Sequence, residues 1–168
     1  MTELKLLLFD VDGVLTDGTI LVHADGSESK QFNIRDGAGM VWAQRAGLTI
    51  GLLSARTADA TAVRAAQLGI KIVSQGGTNK LAGYEQILEE AGLTDGQVGY
   101  MGDDLQDLPV LRRAGFSAAP SDAAPEVRAA VKWVSTSGGG RGAARECIEH
   151  VLREQGHWQA AVAGFLDY

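Results

Sequence analysis

The chain has 168 residues, of which 45% are hydrophobic, and its formal net charge at pH 7 is -6. This length and composition suit one ordinary core, so we expect a single domain over residues 1–168. The acidic balance argues against a nucleic-acid partner, and no apolar run is long enough to cross a membrane. The N-terminus lacks the pattern of a secretory signal, and the single Cys147 cannot form an internal disulfide, which together predict a cytoplasmic protein.

Strand and helix patterns alternate through the first half of the chain. Asp36 is predicted to cap the first helix and Gly47 to end it. In order, we predict a buried strand over 4–9, a hairpin with strands 19–22 and 29–34, a helix over 36–46, a buried strand over 48–53 and a helix over 58–68.

The second half continues the alternation. We predict a strand over 70–73, a helix from Lys80 to Gly92, a strand over 97–101, a short helix capped by Asp107, strands over 116–118 and 131–134, a last helix around 144–152 and a tail over 156–168. Strands separated by such helices pair in parallel with right-handed crossovers. The prediction is an α/β, Rossmann-like three-layer sandwich with a mainly parallel sheet and a small β-hairpin insertion.

Asp10 and Asp12 follow the first buried strand, in a segment that continues with Gly13. Residues i and i+2 of a strand share a face, so both carboxylates can approach one ligand. Their repulsion requires a cation or a substrate to relieve it. An ordinary Asp-Gly turn after an edge strand is the alternative, and it would be preferred if the pair stood alone.

Other polar residues follow the other predicted strands. In open parallel sheets, ligands bind beyond the carboxyl ends of the strands, which brings 10–12, 54–56 and 102–104 to one edge together with Lys80. Asp103, Asp104 and Asp107 add three carboxylates, and an oxygen-only set suits Mg²⁺. Lys80 and the Ser54 hydroxyl are donors that suit phosphate oxygens. Together these groups predict phosphoryl transfer.

Four ordered motifs carry a family resemblance. Asp-x-Asp-Gly-Val-Leu-Thr-Asp at 10–17, Leu-Leu-Ser-Ala-Arg at 52–56, Thr-Asn-Lys at 78–80 and Gly-Asp-Asp-x-x-Asp at 102–107 resemble those of the haloacid dehalogenase-like phosphohydrolases. The resemblance implies that Asp10 is the nucleophile, forming an aspartyl-phosphate, and that Asp12 is the general acid and base.

The resemblance also implies the remaining roles. Mg²⁺ is expected on Asp10, the main-chain carbonyl of Asp12 and Asp103, with Asp104 and Asp107 farther from the metal. Lys80 is expected to act in catalysis and to bind phosphate. Further residues are expected to bind substrate or phosphate: Gly13, Thr16, Ser54, Ala55, Arg56 and Arg64. Ala55 is a mild departure, because members usually carry glycine there.

The insertion at 18–35 is the size of a hairpin rather than of a cap domain. It resembles the capless branch that contains the 3-deoxy-D-manno-octulosonate 8-phosphate phosphatases, which serve lipopolysaccharide precursor synthesis. The resemblance implies a homotetramer in which the hairpins pack together and neighbouring subunits, with their tails, cover each active site. An isolated hairpin with apolar Ile20, Val22, Phe32 and Ile34 agrees with this; the alternative is a hairpin that folds back on its own domain.

The sugar acid that the resemblance implies as substrate carries a carboxylate far from its phosphate, and a cationic side chain is expected to bind it. Arg56, Arg64 and the pair Arg141 and Arg145 are candidates, since guanidinium groups match carboxylates. Arg56 is the preferred candidate. It favours the eight-carbon sugar acid, because the related nine-carbon ulosonate 9-phosphate phosphatases resemble one another in having glutamate, not arginine, at this position. The nine-carbon substrate stays open as the alternative.

Two other classes of protein were weighed. Gly138-x-Gly140-x-x-Ala143 resembles part of a dinucleotide-binding turn, but no later strand carries a ribose-binding acid. A non-catalytic nucleotide- or phosphate-binding module on the same fold is disfavoured because the whole ordered set of acids, hydroxyl and lysine is present.

Overall fold

The computed structural model of the protein describes residues 3–163. Within that range the strands are β1 (Leu6–Phe9), β2 (Leu21–Val22), β3 (Glu28–Ser29), β4 (Thr49–Ser54), β5 (Ile72–Gln75), β6 (Val98–Met101), β7 (Phe116–Ala119) and β8 (Trp133–Val134). The α-helices are α1 (Ile34–Arg45), α2 (Asp59–Gln67), α3 (Lys80–Ala91), α4 (Leu108–Arg113), α5 (Pro125–Ala130), α6 (Ala143–Glu154) and α7 (Trp158–Ala163). No helix among these residues has the length and apolar character that a bilayer crossing requires.

Six strands form one parallel sheet in the order β5-β4-β1-β6-β7-β8. The first strand lies in the middle, where Phe9 pairs with Leu52 on one side and Met101 on the other. The chain therefore builds the sheet outward in both directions from β1. Ligand sites in such sheets lie at this reversal, beyond the carboxyl ends of the strands.

Alternation along β1 explains the layers. Leu7 and Phe9 belong to the core cluster that contains residues of α1, α2 and α6, whereas Leu6 and Leu8 belong to the cluster that contains residues of α3, α4 and α5. A strand whose successive side chains point to opposite faces requires helices on both. The three-layer α/β prediction is confirmed.

The hairpin is shorter than predicted. Its antiparallel strands pair only Leu21 with Ser29 and Val22 with Glu28. The second strand ends early because Asn33 caps α1, its Oδ1 accepting a hydrogen bond from the Arg35 amide at 2.8 Å. The prediction that Asp36 caps this helix is therefore wrong; Asp36 lies inside the helix and is buried.

The hairpin's apolar residues divide into two groups. Phe32 packs against the core of its own chain. Leu21, Val22 and Ile34 remain 61%, 62% and 80% exposed. Ile20 is half-buried. The fold-back alternative thus accounts for Phe32, whereas Leu21, Val22 and Ile34 remain exposed apolar side chains.

The predicted tail contains helix α7. The Trp158 ring lies 6.5 Å from that of Trp42, and the Arg153 guanidinium lies over it at 4.5 Å. Residues 158–163 therefore pack on α1 and α6 of their own chain. The rest of the predicted tail, with Phe165, lies outside the described residues.

Candidate active site

Three carboxylates meet at the carboxyl edge of the sheet. Asp10 follows β1, Asp103 follows the neighbouring β6, and Asp107 lies in the turn before α4. One oxygen from each lies within 4.8 Å of the others. Adjacent parallel strands end side by side, which explains how residues so distant in sequence converge.

Asp10 is buried and held from two sides. Its Oδ1 accepts a hydrogen bond from the Val11 amide at 2.7 Å, and its Oδ2 lies 2.7 Å from Lys80 Nζ. Burial raises the pKa of Asp10 to about 6, and the charge of Asp107 adds to the shift while Lys80 opposes it. A further positive charge beside Asp10 would favour its ionised form.

Asp107 has both oxygens occupied. Oδ1 accepts hydrogen bonds from Lys80 Nζ at 2.6 Å and the Tyr100 hydroxyl at 2.5 Å. Oδ2 accepts from the amides of Asp103 and Asp104 at 3.0 and 3.1 Å. Asp107 stands at the N-cap position of α4 as predicted, but its side chain makes no capping hydrogen bond to that helix, because this buried network occupies both of its oxygens. Asp107 thus fixes Lys80 and the start of the Asp103 turn.

Lys80 opens α3 and is buried between Asp10 and Asp107. Burial alone would lower the pKa of its ammonium group, but the two carboxylates outweigh burial and raise that pKa. Lys80 therefore supplies a permanent positive charge at the floor of the site.

Asp103 has a buried oxygen, Oδ1, without a hydrogen-bond partner among the described residues. Burial, with the charges of Asp10 and Asp107, raises the pKa of Asp103 to about 8. Gly13 permits its approach: a Cβ there would lie 2.0 Å from Asp103 Oδ2, and φ is +88°. An unpartnered carboxylate oxygen beside other carboxylates is the environment that a hard divalent cation relieves, so the residues present fit Mg²⁺.

The same geometry predicts how stability responds to pH. Asp10 and Asp103 have folded pKa values above the ordinary 3.8. The folded state therefore binds more protons than the unfolded one, and stability falls as pH rises through about 8. We expect the metal-free protein to melt at a lower temperature at pH 8 than at pH 6, and Mg²⁺ to raise Tm more at pH 8. Differential scanning calorimetry at both pH values, with Asp103→Asn expected to flatten the dependence, checks this; a Tm independent of pH and Mg²⁺ contradicts it.

The hydroxyl group of Thr16 stabilises the loop after β1. Thr16 is buried, and its Oγ1 accepts hydrogen bonds from the amides of Gly13 and Gly18 at 3.4 and 3.2 Å. Its contacts are thus within the loop, whose shape it maintains.

A glycine segment near the C-terminus supports that loop from outside. The Gly140 amide donates to Val14 O at 2.9 Å, and a Cβ on Gly139 would lie 1.9 Å from Gly13 O. Asp122 Oδ1 accepts from the Gly139 amide at 2.9 Å. Backbone packed this closely leaves no room for a pyrophosphate, so the segment supports the loop after β1 rather than a dinucleotide.

The hairpin reaches the site through two ion pairs. Lys30 Nζ lies 2.5 and 2.7 Å from the two carboxylate oxygens of Asp12. Arg56 Nη2 lies 2.7 Å from Glu28, and its Nε lies 3.9 Å from Asp12. Lys30 was not among the predicted site residues, because a lysine in a predicted hairpin strand gives no signal that it points at a carboxylate.

Ser54 ends β4 and is buried. Its hydroxyl donates to Arg56 O at 3.1 Å and accepts from the Arg56 amide at 3.3 Å. Ala55 lies inside the small ring that these bonds close. The hydroxyl therefore shapes the turn that presents Arg56.

Only some of the predicted arginines approach the acids. Among the described residues, Arg56 pairs with Asp12, whereas Arg64 lies 6.0 Å from the Phe32 ring and bonds Gln67. Arg141 lies 3.8 Å from Asp17 on the exposed side of the loop. The Arg145 guanidinium lies over the Trp42 ring and pairs with Glu149.

Asp104 is exposed, and its Oδ1 accepts a hydrogen bond from the Leu105 amide at 2.8 Å.

Comparison with known proteins identifies relatives of the whole chain. The family model of the haloacid dehalogenase-like hydrolases matches residues 47–146. The Escherichia coli K12 3-deoxy-D-manno-octulosonate 8-phosphate phosphatase KdsC is 40% identical over 154 residues, which cover 92% of this chain and 82% of that protein.

Solved structures agree with the sequence comparison. A probable phosphatase of the YrbI family from Pseudomonas syringae superposes with a TM-score of 0.97 at 42% identity, covering 99% of this chain and 95% of that one. The 3-deoxy-D-manno-octulosonate 8-phosphate phosphatase from Moraxella catarrhalis, in complex with magnesium, phosphate and KDO, gives 0.94 at 34% identity over 98% and 94% of the two chains. With its parallel sheet, its acidic cluster at the carboxyl edge and these relatives, the chain belongs to the haloacid dehalogenase-like hydrolases.

Proposed function

We propose that this protein is a Mg²⁺-dependent phosphomonoesterase that hydrolyses 3-deoxy-D-manno-octulosonate 8-phosphate to the free sugar acid and phosphate. The observation that carries the proposal is the convergence of Asp10, Asp103 and Lys80 at one sheet edge. The substrate is argued from the similar KdsC proteins and from the magnesium, phosphate and KDO bound by the Moraxella relative.

In the proposed reaction, an Asp10 oxygen attacks phosphorus while the bond to the sugar oxygen breaks and Asp12 delivers its proton to that oxygen. A water molecule then attacks the phosphorus of the aspartyl-phosphate and gives a proton to Asp12, while the bond from phosphorus to the Asp10 oxygen breaks. This step releases inorganic phosphate and regenerates the Asp10 carboxylate. Lys80, fixed by Asp107, balances the negative charge that gathers beside Asp10. Asp10, the main-chain carbonyl of Asp12 and Asp103 would hold Mg²⁺, which would supply further charge neutralisation.

Arg56 is the proposed contact of the sugar carboxylate. Its side chain is 48% exposed and already binds a carboxylate, that of Glu28. A substrate carboxylate would replace Glu28 with little rearrangement, because the guanidinium fork suits either partner.

The substrate is tested by measuring phosphate release from the eight- and nine-carbon ulosonate phosphates side by side, with Mg²⁺ present. We expect the eight-carbon ester to have the higher kcat/KM. A preference for the nine-carbon ester would select the alternative substrate. If phosphate were released from neither ester, the phosphatase proposal would be refuted. Chelation by EDTA should abolish release, and added Mg²⁺ should restore it.

We further propose a cytoplasmic homotetramer assembled through the hairpin. The exposed Leu21, Val22 and Ile34 support this, since exposed apolar side chains favour a partner surface. Gel filtration at low micromolar concentration should give about four times the 17.7 kDa chain mass. Leu21→Lys should yield smaller species, while Val63→Lys, which replaces an exposed valine on α2, should not. A wild-type peak at 17.7 kDa would contradict the tetramer.

A further inference from the structure

The contact between Lys30 and Asp12 is unusual for a hairpin lysine. The Lys30 side chain is 0% exposed, although it belongs to a surface insertion. Its ammonium group bonds both oxygens of Asp12, which is 18 residues earlier in the chain. A lysine gives up its hydration only for a well-formed, charge-assisted pair, so this contact fixes the carboxylate in one orientation.

Asp12 has few other constraints. Arg56 Nε is 3.9 Å from its Oδ2, outside hydrogen-bond distance, and Arg56 is committed to Glu28 at 2.7 Å. Asp10 and Asp107, by contrast, are each held by Lys80 and by further donors. Of the described donors near Asp12, Lys30 is therefore the one that sets where its carboxylate points.

We propose that Lys30 is a positioning residue that aims Asp12 at the leaving-group oxygen, so that the hairpin takes part in acid catalysis. The inference rests on the proposed function. As the bond from phosphorus to the sugar oxygen breaks and the bond to Asp10 forms, one Asp12 oxygen passes its proton to the departing alkoxide. Lys30 gives up its contact with the oxygen that carries the proton, and its bond to the other oxygen holds the carboxyl group in line.

The test separates leaving groups that need a proton from one that does not. A sugar alkoxide must be protonated as it leaves, whereas nitrophenolate leaves as an anion. In Lys30→Met, we expect kcat for the sugar acid phosphate to fall about 100-fold, the lower end of what general acid catalysis contributes, and kcat/KM for p-nitrophenyl phosphate to fall far less. Asp12→Asn should show the same selectivity, and the double variant should lose little more than Asp12→Asn alone.

Controls distinguish positioning from other roles. Lys30→Arg keeps a cationic donor, so it should be more active on the sugar ester than Lys30→Met, although a planar guanidinium replaces the compact ammonium group. Lys71→Met, at an exposed lysine, should match the wild type. Equal losses on both esters, or a rise in KM for the sugar ester with kcat unchanged, would overturn the proposal. If the wild type released phosphate from neither ester, the proposed function would fail instead.

Discussion

Asp10→Asn is expected to lower kcat for the sugar acid phosphate on the order of 10⁴-fold or more, because an amide oxygen cannot act as the nucleophile in the covalent route. The side chain keeps its size and its place beside Lys80 and the Val11 amide. The fold should therefore persist, with an unchanged circular dichroism spectrum. Phosphate release under Mg²⁺ saturation, followed to long times, measures the residual rate.

Asp95→Asn is the matched control for this experiment. Asp95 precedes β6 at the amino end of the sheet, whereas Asp103 follows the same strand at the other end. The same chemical change there should leave kcat near the wild-type value. Near-normal turnover in Asp10→Asn would show that Asp10 is not the nucleophile, and equal losses in both variants would point to misfolding.

The second large effect concerns stability. Lys80→Met removes the cation that Asp10 and Asp107 share at 2.7 and 2.6 Å and leaves two buried carboxylates facing each other. Breaking a buried pair in this way costs about 3–5 kcal/mol. We expect the free energy of unfolding, measured by urea denaturation without metal at pH 8, to fall by about that amount. Activity should be lost as well.

Acid conditions provide the internal check on this prediction. At pH 5 the Asp10 carboxyl, whose pKa is about 6, is mostly protonated, so the repulsion that Lys80→Met exposes is relieved. The destabilisation should therefore be smaller at pH 5 than at pH 8. Lys71→Met should be neutral at both values. A Lys80→Met protein as stable as the wild type at pH 8 would contradict the electrostatic role assigned to Lys80.

Much of the sheet was predictable, because its strands are signalled by continuous apolar runs. The predicted strand at 4–9 and the observed Leu6–Phe9 agree, and Gly92 ends α3 as expected, with φ of 63°. Helix α5 was missed, although Pro125 at its first turn is a start signal. Strand β5 was placed two residues early, since apolarity marks Ile70 whereas pairing with β4 begins at Ile72.

The candidate site was predictable for residues that directly follow a strand, because ligand sites in open parallel sheets lie beyond the carboxyl ends of the strands. Asp10 and Asp103 met because β1 and β6 are adjacent and parallel. Lys30 was not predictable, since nothing in a hairpin's sequence tells which buried group a long side chain will reach. The same limit applied to the partners of Asp107: its place among the site carboxylates was predicted, but its bonds to Lys80 and Tyr100 were not.

The contact of Gly139 and Gly140 with the loop after β1 has a consequence for biosynthesis. Strand β1, which precedes the proposed nucleophile, leaves the ribosome early, but the backbone that supports the following loop is made much later, with Gly140 bonded to Val14. Contacts between such distant parts of a chain close slowly. A nascent chain would therefore carry Asp10, the proposed nucleophile, without the backbone that supports the loop after β1 until residues 139–140 are made.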